Sequence, residues 1–115
     1  MPRCACGAVL KPGVVMFGEL LPEEAFERAA ALCREARLLL VVGSSLAVHP
    51  VASLPLATLE AGGALAIVNR EPTPLDSRAA LRLGGGAGAV LSETVALLDG
   101  GGSRERAANP APPGA

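Results

Sequence analysis

The sequence contains almost no aromatic side chains. Of its 115 residues only Phe17 and Phe26 are aromatic, and tryptophan and tyrosine are absent. Aromatic rings bury the largest areas in protein cores, so the core of this chain has to be built from alanine, valine and leucine. Histidine is scarcer still, because His49 is the single one. Any reaction that needs a histidine base therefore has only this one available within the 115 residues.

The sequence has no surplus of charge of either sign. Ten lysine and arginine residues stand against 11 aspartate and glutamate residues, which gives a net charge of −1. A nucleic-acid-binding domain needs basic residues to neutralise phosphates, so nucleic acid is not an expected partner. No apolar run approaches the roughly 18 residues typical of a membrane-spanning helix, and no charged-then-apolar leader follows Met1. We expect no membrane association and a cytoplasmic location.

Three cysteines, an odd number, do not predict a framework of disulfides. Cys4 and Cys6 resemble half of a zinc knuckle, whereas a structural zinc ion takes four ligands, usually as two close cysteine pairs. Cys33 falls on the apolar face of a predicted helix and fits a small core residue. Two interpretations stay open: the chain binds no metal, or two further ligands come from sequence outside it.

Short apolar runs alternate with segments of helical periodicity. Residues 38–42 and 64–69 are mainly aliphatic without polar alternation, which is typical of parallel strands covered on both faces. Strands that alternate with helices predict an α/β fold with right-handed crossovers. Residues 99–115 have no aliphatic side chain larger than alanine and predict a disordered tail rich in glycine, alanine and proline. The predicted elements are a strand or extended segment at 14–17, helices at 22–36, 51–60 and 88–98, and strands at 38–42, 64–69 and 81–83.

Polar or glycine-rich residues follow each predicted parallel strand, at the end where ligands of such sheets bind. A glycine there allows close backbone approach, and amides and hydroxyls at a helix start can hold phosphate or ribose oxygens. Two structural explanations fit as well: serines can cap a tight turn, and polar side chains at 69–71 can simply be solvated. A hydrolase nucleophile at Ser45 is excluded, because only His49, four residues on, follows it. The three strand ends are Gly43-Ser44-Ser45, Asn69-Arg70-Glu71 and Gly85-Gly86-Ala87.

Together, several stretches resemble the C-terminal part of the catalytic domain of sirtuins, a family of NAD-dependent protein-lysine deacylases. They occur in the family's order and cover nearly all of the sequence from Cys4 to Leu98. The resemblance implies a parallel-sheet, Rossmann-like half domain over residues 1–98, with a partial zinc knuckle at its N-terminus. The matching stretches are Cys6-Gly7, Leu10-Lys11-Pro12-Gly13-Val14-Val15-Met16-Phe17-Gly18-Glu19, Leu21-Pro22, Val41-Val42-Gly43-Ser44-Ser45-Leu46-Ala47-Val48-His49-Pro50, Leu54-Pro55 and Ile67-Val68-Asn69-Arg70-Glu71-Pro72-Thr73.

The resemblance implies a reaction, its cofactors and the residues that hold them. In sirtuins the acyl group of an acylated-lysine protein passes to ADP-ribose, derived from NAD, and nicotinamide is released. Cys4 and Cys6 would be the second pair of zinc ligands. The implied NAD-binding residues are Gly43, Ser44, Ser45, Asn69, Arg70, Glu71 and Ala87, and the implied acyl-lysine cleft is lined by Val15, Met16, Phe17, Gly18, Glu19 and Val48.

The sequence departs from the family pattern at the catalytic parts. It lacks the glycine-rich phosphate loop, the nicotinamide-pocket motif, the catalytic histidine with its following glycine, and the first zinc cysteine pair. One residue separates Cys4 from Cys6, where the family usually has two. His49 falls at a variable position of the family's V-x-P motif. No catalytic residue is therefore assigned, and we expect the 115 residues alone to be inactive.

Three hypotheses follow. The chain is part of a deacylase, either from a truncated gene, from a gene whose start is assigned too late, or as one half of a split enzyme whose partner is a separately encoded N-terminal half. Alternatively, it is a non-catalytic NAD- or ADP-ribose-binding or interaction module. As a third possibility it is a non-functional remnant. Half of a doubly wound sheet would leave an open apolar edge, so we expect marginal stability or self-association.

Overall fold

The computed structural model describes residues 1–100, so most of the predicted tail, 99–115, lies outside the described residues. A domain over residues 1–98 stays a prediction. None of the helices in the described part is long and apolar enough to cross a membrane. The elements in chain order are α1 (Glu23–Glu35), β1 (Leu38–Val42), a 3-10 turn (Val51–Ser53), α2 (Leu54–Glu60), β2 (Ala64–Val68), a second 3-10 turn (Asp76–Arg78), β3 (Leu81–Leu83) and α3 (Ala87–Asp99).

The helices begin and end close to their predicted bounds, at features that stabilise helix termini. Pro22 precedes the first turn of α1, Glu23 and Glu24 lie in that turn, and Arg34 lies in the last, which suits the helix dipole at both ends. The predicted helix at 51–60 is divided into a 3-10 turn and α2. Pro55 lies at the start of α2, where its missing N–H costs no hydrogen bond.

The three strands form one parallel sheet in the order β1-β2-β3, which confirms the predicted α/β class. Leu38 pairs with Ala64 at the start of β1 and β2, and Ala66 pairs with Leu81 of β3. The predicted strand at 64–69 is one residue shorter in the structure. The Asn69 N–H still donates to the Leu83 carbonyl at 3.1 Å, so β2 and β3 diverge only after this hydrogen bond.

The core lies between the sheet and α2, and the loop after β2 adds Leu75 and Ala79 to it. Val41, Leu46, Leu65 and Ile67 form its buried centre. Helices α1 and α2 contact each other, and the buried Thr58 hydroxyl donates to the Cys33 carbonyl at 2.7 Å. Cys33 is itself buried, as predicted. The core is aliphatic throughout, as the shortage of aromatic residues requires.

The N-terminal segment, residues 1–22, has almost no buried residues. Its one bridge joins Arg3 and Val9 in antiparallel orientation. Residues 14–16 belong to no strand or helix, and a turn at Phe17 and Gly18 follows them. An apolar run needs a neighbouring strand to pair with if it is to form a strand, and the described residues provide none beside it. The predicted strand is therefore not observed, and the alternative of an extended segment stays a prediction.

Candidate functional site

A cavity of about 360 Å³ lies at the carboxyl end of the parallel sheet. The turns that follow β1, β2 and β3 form its walls. This is the edge at which sheets of this class bind ligands. The lining residues are Gly43, Ser45, Asn69, Arg70, Glu71, Gly85, Gly86 and Ala87.

The turn after β1 brings backbone, rather than bulky side chains, to this cavity. Gly43 has φ +63°, in the left-handed region, and its N–H donates to the Val68 carbonyl at 2.9 Å. Apart from Gly43 and its two chain neighbours, residues 1–100 place no atom within 4 Å of the point where a Cβ of Gly43 would stand. A ligand can therefore approach this backbone closely.

The two serines of the turn act differently. The Ser44 hydroxyl accepts from the Leu46 N–H at 3.3 Å and does not line the cavity. The Ser45 hydroxyl accepts from the Ala47 N–H at 3.4 Å and does line it. Both serines thus support the turn, as the structural alternative proposed, but Ser45 also faces the space where a ligand would bind.

The loop after β2 is fixed by a network of hydrogen bonds. Both the Asn69 amide and the Arg82 guanidinium donate to the Glu71 carbonyl, at 2.9 and 2.8 Å. The Arg82 Nε also donates to Asp76 Oδ2 at 3.1 Å. The Asn69 side chain and the Glu71 carbonyl are therefore held by defined contacts, while the alternative of solvated side chains stays open for Arg70 and Glu71.

Asp76 anchors this network. Its carboxylate accepts from the Thr73 hydroxyl at 2.6 Å and from the Thr73 N–H at 3.1 Å, besides Arg82. Partial desolvation acts to raise the pKa of Asp76, but the bonds from Thr73 and the charge of Arg82 outweigh it and hold this pKa below its usual value. The carboxylate is therefore charged at neutral pH and braces the loop through Arg82.

Arg70 supplies the positive charge of the cavity. Its guanidinium packs against Gly86, where a Cβ would stand 2.9 Å from Arg70 Nη2. Gly86 is the residue before α3, so the amides at the start of this helix lie beside the same guanidinium. Backbone amides and a guanidinium suit phosphate, and the polar groups at 69–71 suit sugar hydroxyls. The family resemblance implied only Ala87 of this turn, but the strand-end pattern had already placed Gly85 and Gly86 at the same edge of the sheet.

A second cavity, of about 410 Å³ and mainly apolar, lies between the N-terminal segment and the loop before α2. All six residues that the resemblance implies for the substrate cleft line it. Sequence reasoning missed five further lining residues, of which two, Val14 and His49, adjoin assigned positions. The cavity is lined by Val14, Val15, Met16, Phe17, Gly18, Glu19, Leu21, Val48, His49, Pro50 and Val51.

Glu19 fixes the turn in the wall of the second cavity. Its carboxylate pairs with the Lys11 ammonium and accepts from the Met16 N–H at 3.0 Å. The Glu19 N–H in turn donates to the Met16 carbonyl at 3.0 Å. The hydrogen bond from Lys11, followed by that from Met16, lowers the pKa of Glu19. Phe17, at the tip of this turn, is 94% exposed.

Cys4 and Cys6 form an exposed pair of thiols in a tight turn. The Cys4 N–H donates to the Ala8 carbonyl and the Gly7 N–H to the Cys4 carbonyl, both at 2.8 Å. Hydrogen bonds from the Ala8 backbone and then from Cys4 lower the pKa of Cys6, which favours the thiolate that binds metal. Among residues 1–100 no group of three or more histidine, cysteine or acidic side chains could hold a metal ion. Cys4 and Cys6 therefore supply at most two of the four ligands that a structural zinc ion takes.

Comparisons with known proteins place these features in one family. The model of the Sir2 family matches residues 1–50. The chain is 44% identical over 96 residues to NAD-dependent protein deacylase 1 of Archaeoglobus fulgidus, and the match covers 83% of this chain and 39% of that protein. It spans about a third to two fifths of the length of the curated relatives it matches.

Solved structures agree. The structure "Sir2-p53 peptide-NAD+" matches with a TM-score of 0.79 and 40% identity, over 86% of this chain and 41% of that one. A mutant Sir2 homologue in complex with ADP ribose matches with a TM-score of 0.80 and 42% identity, over 86% of this chain and 40% of that one. The Rossmann-like character of the sheet is thereby supported at the level of the backbone.

Proposed function

The chain belongs to the Sir2 family, and we propose that it supplies the acyl-lysine cleft and the adenosine side of the NAD site of an NAD-dependent protein-lysine deacylase. One observation carries this proposal: a single loop borders both cavities. Gly43 and Ser45 line the first cavity, and Val48 to Val51 line the second. A nucleotide in the first cavity and a lysine side chain in the second would therefore be neighbours across this loop.

The first cavity would bind the ADP-ribose part of NAD. When bound, NAD supplies the ribose carbon that accepts the acyl oxygen and the nicotinamide that leaves. Gly43 and Ser45 would offer backbone and hydroxyl to the ribose and phosphates, with Ser44 holding the turn behind them. Asn69, Arg70 and Glu71 would meet the adenosine end, with Ala87 beside the adenine. The open space over Gly43 and the charge of Arg70 support this assignment.

The second cavity would bind the acylated lysine and its peptide. Val15, Met16 and Val48 would surround the aliphatic part of the side chain, because they form its apolar wall. Phe17, Gly18 and Glu19 would present backbone to an extended peptide by strand addition. In support of this role, Val14, Val15 and Met16 belong to no strand and line the same cavity. Acylated-lysine proteins are the proposed substrates.

Cys4 and Cys6 would be two of the four ligands of a structural zinc ion. Their exposure and the lowered pKa of Cys6 support metal binding. The second pair of ligands and the catalytic base would come from sequence outside these 115 residues, of which a separately encoded N-terminal half is one form. We therefore expect no deacylation by the 115 residues alone. A cytoplasmic location stays a prediction.

Calorimetric titration of the 115-residue chain with ADP-ribose and with NAD tests the nucleotide site. We expect saturable binding that Arg70→Ala weakens at least fivefold, since the cavity loses a positively charged lining residue that would face the anionic nucleotide. Arg37→Ala is the matched control, because Arg37 lines a different cavity, at the opposite end of the sheet beside Gly62 and Gly63. Equal losses in both variants, or no binding by a chain that circular dichroism reports as folded, would contradict the proposal.

A second candidate is a non-catalytic NAD- or ADP-ribose-binding module. The observation that favours it is that the chain alone builds all the walls found for the first cavity. Nicotinamide release from NAD in the presence of an acetylated peptide discriminates the two functions. Release after the chain is combined with the unmatched part of a Sir2 protein supports the deacylase; nucleotide binding without release in that mixture supports the module.

A further inference from the structure

Arg82 contacts the loop that forms one wall of the first cavity, although it does not line that cavity itself. It is the middle residue of β3, and its side chain is 26% exposed. Its guanidinium donates through Nη2 to the Glu71 carbonyl at 2.8 Å and through Nε to Asp76 Oδ2 at 3.1 Å. One side chain of the sheet therefore holds the loop after β2 at two points.

These contacts fix the direction of one peptide group beside the cavity. The Glu71 carbonyl oxygen has two lone pairs; the Asn69 amide donates to it at 2.9 Å, and Arg82 donates to it as well. Pro72 follows, so this peptide group has no N–H with which to make a further hydrogen bond. The other side-chain hydrogen bonds found for residues 69–76 stay within that segment. Among residues 1–100, Arg82 is thus the one side chain that ties the segment to the sheet.

The glycine turn after β3 leaves room for two guanidinium groups. A Cβ on Gly84 would stand 2.8 Å from Arg82 Nη1, and a Cβ on Gly86 would stand 2.9 Å from Arg70 Nη2. Arg82 therefore packs beside the beginning of this turn, and Arg70 packs against its end. Since Gly86 lines the first cavity, two walls of that cavity contact each other through these arginines.

We propose that Arg82 is a positioning residue for the nucleotide: it holds residues 69–71 in the conformation that meets the adenosine end, without touching the ligand. The inference rests on the proposed function, because it takes the first cavity as the nucleotide site. A loop that is ordered before binding spares the ligand the free energy of ordering it, and affinity falls in proportion as the competent conformation becomes rarer. The charge of Arg82 is paired with Asp76, so its effect on affinity comes from loop geometry rather than from attraction of phosphate.

Calorimetric titration of the 115-residue chain with ADP-ribose tests this role. Arg82→Ala should raise the Kd about fivefold, because the loop loses its tie to the sheet. Arg78→Ala is the matched control: it removes the same charge from an exposed position in the second 3-10 turn and should leave the Kd unchanged. Added guanidinium chloride at millimolar concentration should restore part of the affinity of Arg82→Ala, whereas equimolar sodium chloride should not.

Gly84→Ala disturbs the same contacts while Arg82 stays in place. Gly84 does not have a left-handed backbone, and Arg82 Nη1 is the one atom, outside its chain neighbours, that residues 1–100 place within 4 Å of the added Cβ. The methyl group must therefore displace the guanidinium. We expect a loss of affinity of about twofold from this substitution in the wild type and none in Arg82→Ala, since residues in contact do not act additively. A merely destabilising substitution would act equally in both backgrounds.

Three outcomes overturn the inference and leave the nucleotide site intact: wild-type affinity in Arg82→Ala, an equal loss in Arg78→Ala, or additive losses in the double variant. Failure of the folded wild-type chain to bind ADP-ribose would instead reject the nucleotide site, and this inference with it. Circular dichroism checks that each variant is folded. Should Arg82→Ala not fold, Gly84→Ala alone decides, because unchanged affinity in that variant overturns the inference.

Discussion

The two candidate cavities differ in how firmly the residues that form them are packed. The nucleotide cavity follows three strands whose middle member, β2, has four of its five residues buried. The substrate cavity has one wall made by the N-terminal segment, in which Leu21 alone is as much as half-buried. A site attached to a packed sheet keeps its geometry without a ligand, whereas a wall of exposed backbone is free to move. The nucleotide half should therefore be preorganised in this chain, and the substrate half should depend on its partners.

The largest expected effect is a loss of stability in the core that the N-terminal segment does not share. Ile67 is fully buried in β2, so Ile67→Ala should lower the free energy of unfolding by about 3 kcal/mol through lost contacts and a new cavity. Val15→Ala, at a position 42% exposed, should change it by less than about 0.5 kcal/mol. Urea denaturation followed by circular dichroism measures both. Similar losses in the two variants would show that the N-terminal segment is packed as firmly as the sheet.

The next largest effect concerns the hydrogen bonds of Asp76 that hold the loop beside the nucleotide cavity. Asp76→Asn removes the charge that Thr73 and Arg82 stabilise, and should cost about 1 to 2 kcal/mol at pH 7. Because folding lowers the pKa of Asp76, the stabilisation is complete above the unfolded pKa of about 4 and is lost as pH falls through the lower folded value. The wild type and the variant should thus converge at low pH.

Chemical denaturation between pH 7 and pH 2.5 measures this convergence. Asp99→Asn, at the exposed end of α3, is the matched control and should shift stability equally little at every pH. A difference between Asp76→Asn and the wild type that stays constant down to pH 2.5 would contradict the assigned role of the carboxylate.

Much of this framework could be predicted from the sequence, because it depends on local patterns. Unbroken aliphatic runs predicted β1 and β2, and the first helix differs from its prediction by one residue at each end. The loop network could not be predicted, since Arg82 and Glu71 are 11 residues apart and only the register of β3 brings them together. The direction of the Ser44 hydroxyl likewise depends on the left-handed backbone of Leu46, which nothing in the residue types indicates.

For the second cavity, the sequence predicted the lining residues better than the local backbone structure. Resemblance to sirtuins brought together Val15 and Val48, which are too far apart in the chain for periodicity to relate them. The apolar run at 14–17 alone left a strand and an extended segment equally open. That choice depends on whether another strand lies alongside, and pairing partners are a tertiary property.

A smaller effect is expected at the turn after β1. Gly43→Ala should cost about 1 kcal/mol, because alanine is disfavoured at φ +63°. Its methyl group would also project into the open space of the nucleotide cavity, so ADP-ribose affinity should fall further than stability does. Gly13→Ala is the control, since its backbone is not left-handed and no atom lies near its added Cβ. Calorimetry measures the change in ADP-ribose affinity of each variant, and urea denaturation measures the change in its free energy of unfolding. Unchanged ADP-ribose affinity in Gly43→Ala would argue against close approach of the ligand to this backbone.

The smallest expected effect on stability lies in the N-terminal segment. It tests most directly whether this segment is independent of the packed sheet. Glu19→Ala removes the acceptor of the Met16 N–H and the partner of Lys11. Because this turn has no core beneath it, global stability should not change, but the Met16 amide should exchange with solvent about fivefold faster. Glu24→Ala, in the exposed first turn of α1, should leave that amide unaffected. Residue-resolved hydrogen exchange measures the difference. A loss of global stability in Glu19→Ala would mean that the N-terminal wall of the second cavity unfolds together with the sheet. The two cavities would then depend on the same packed core.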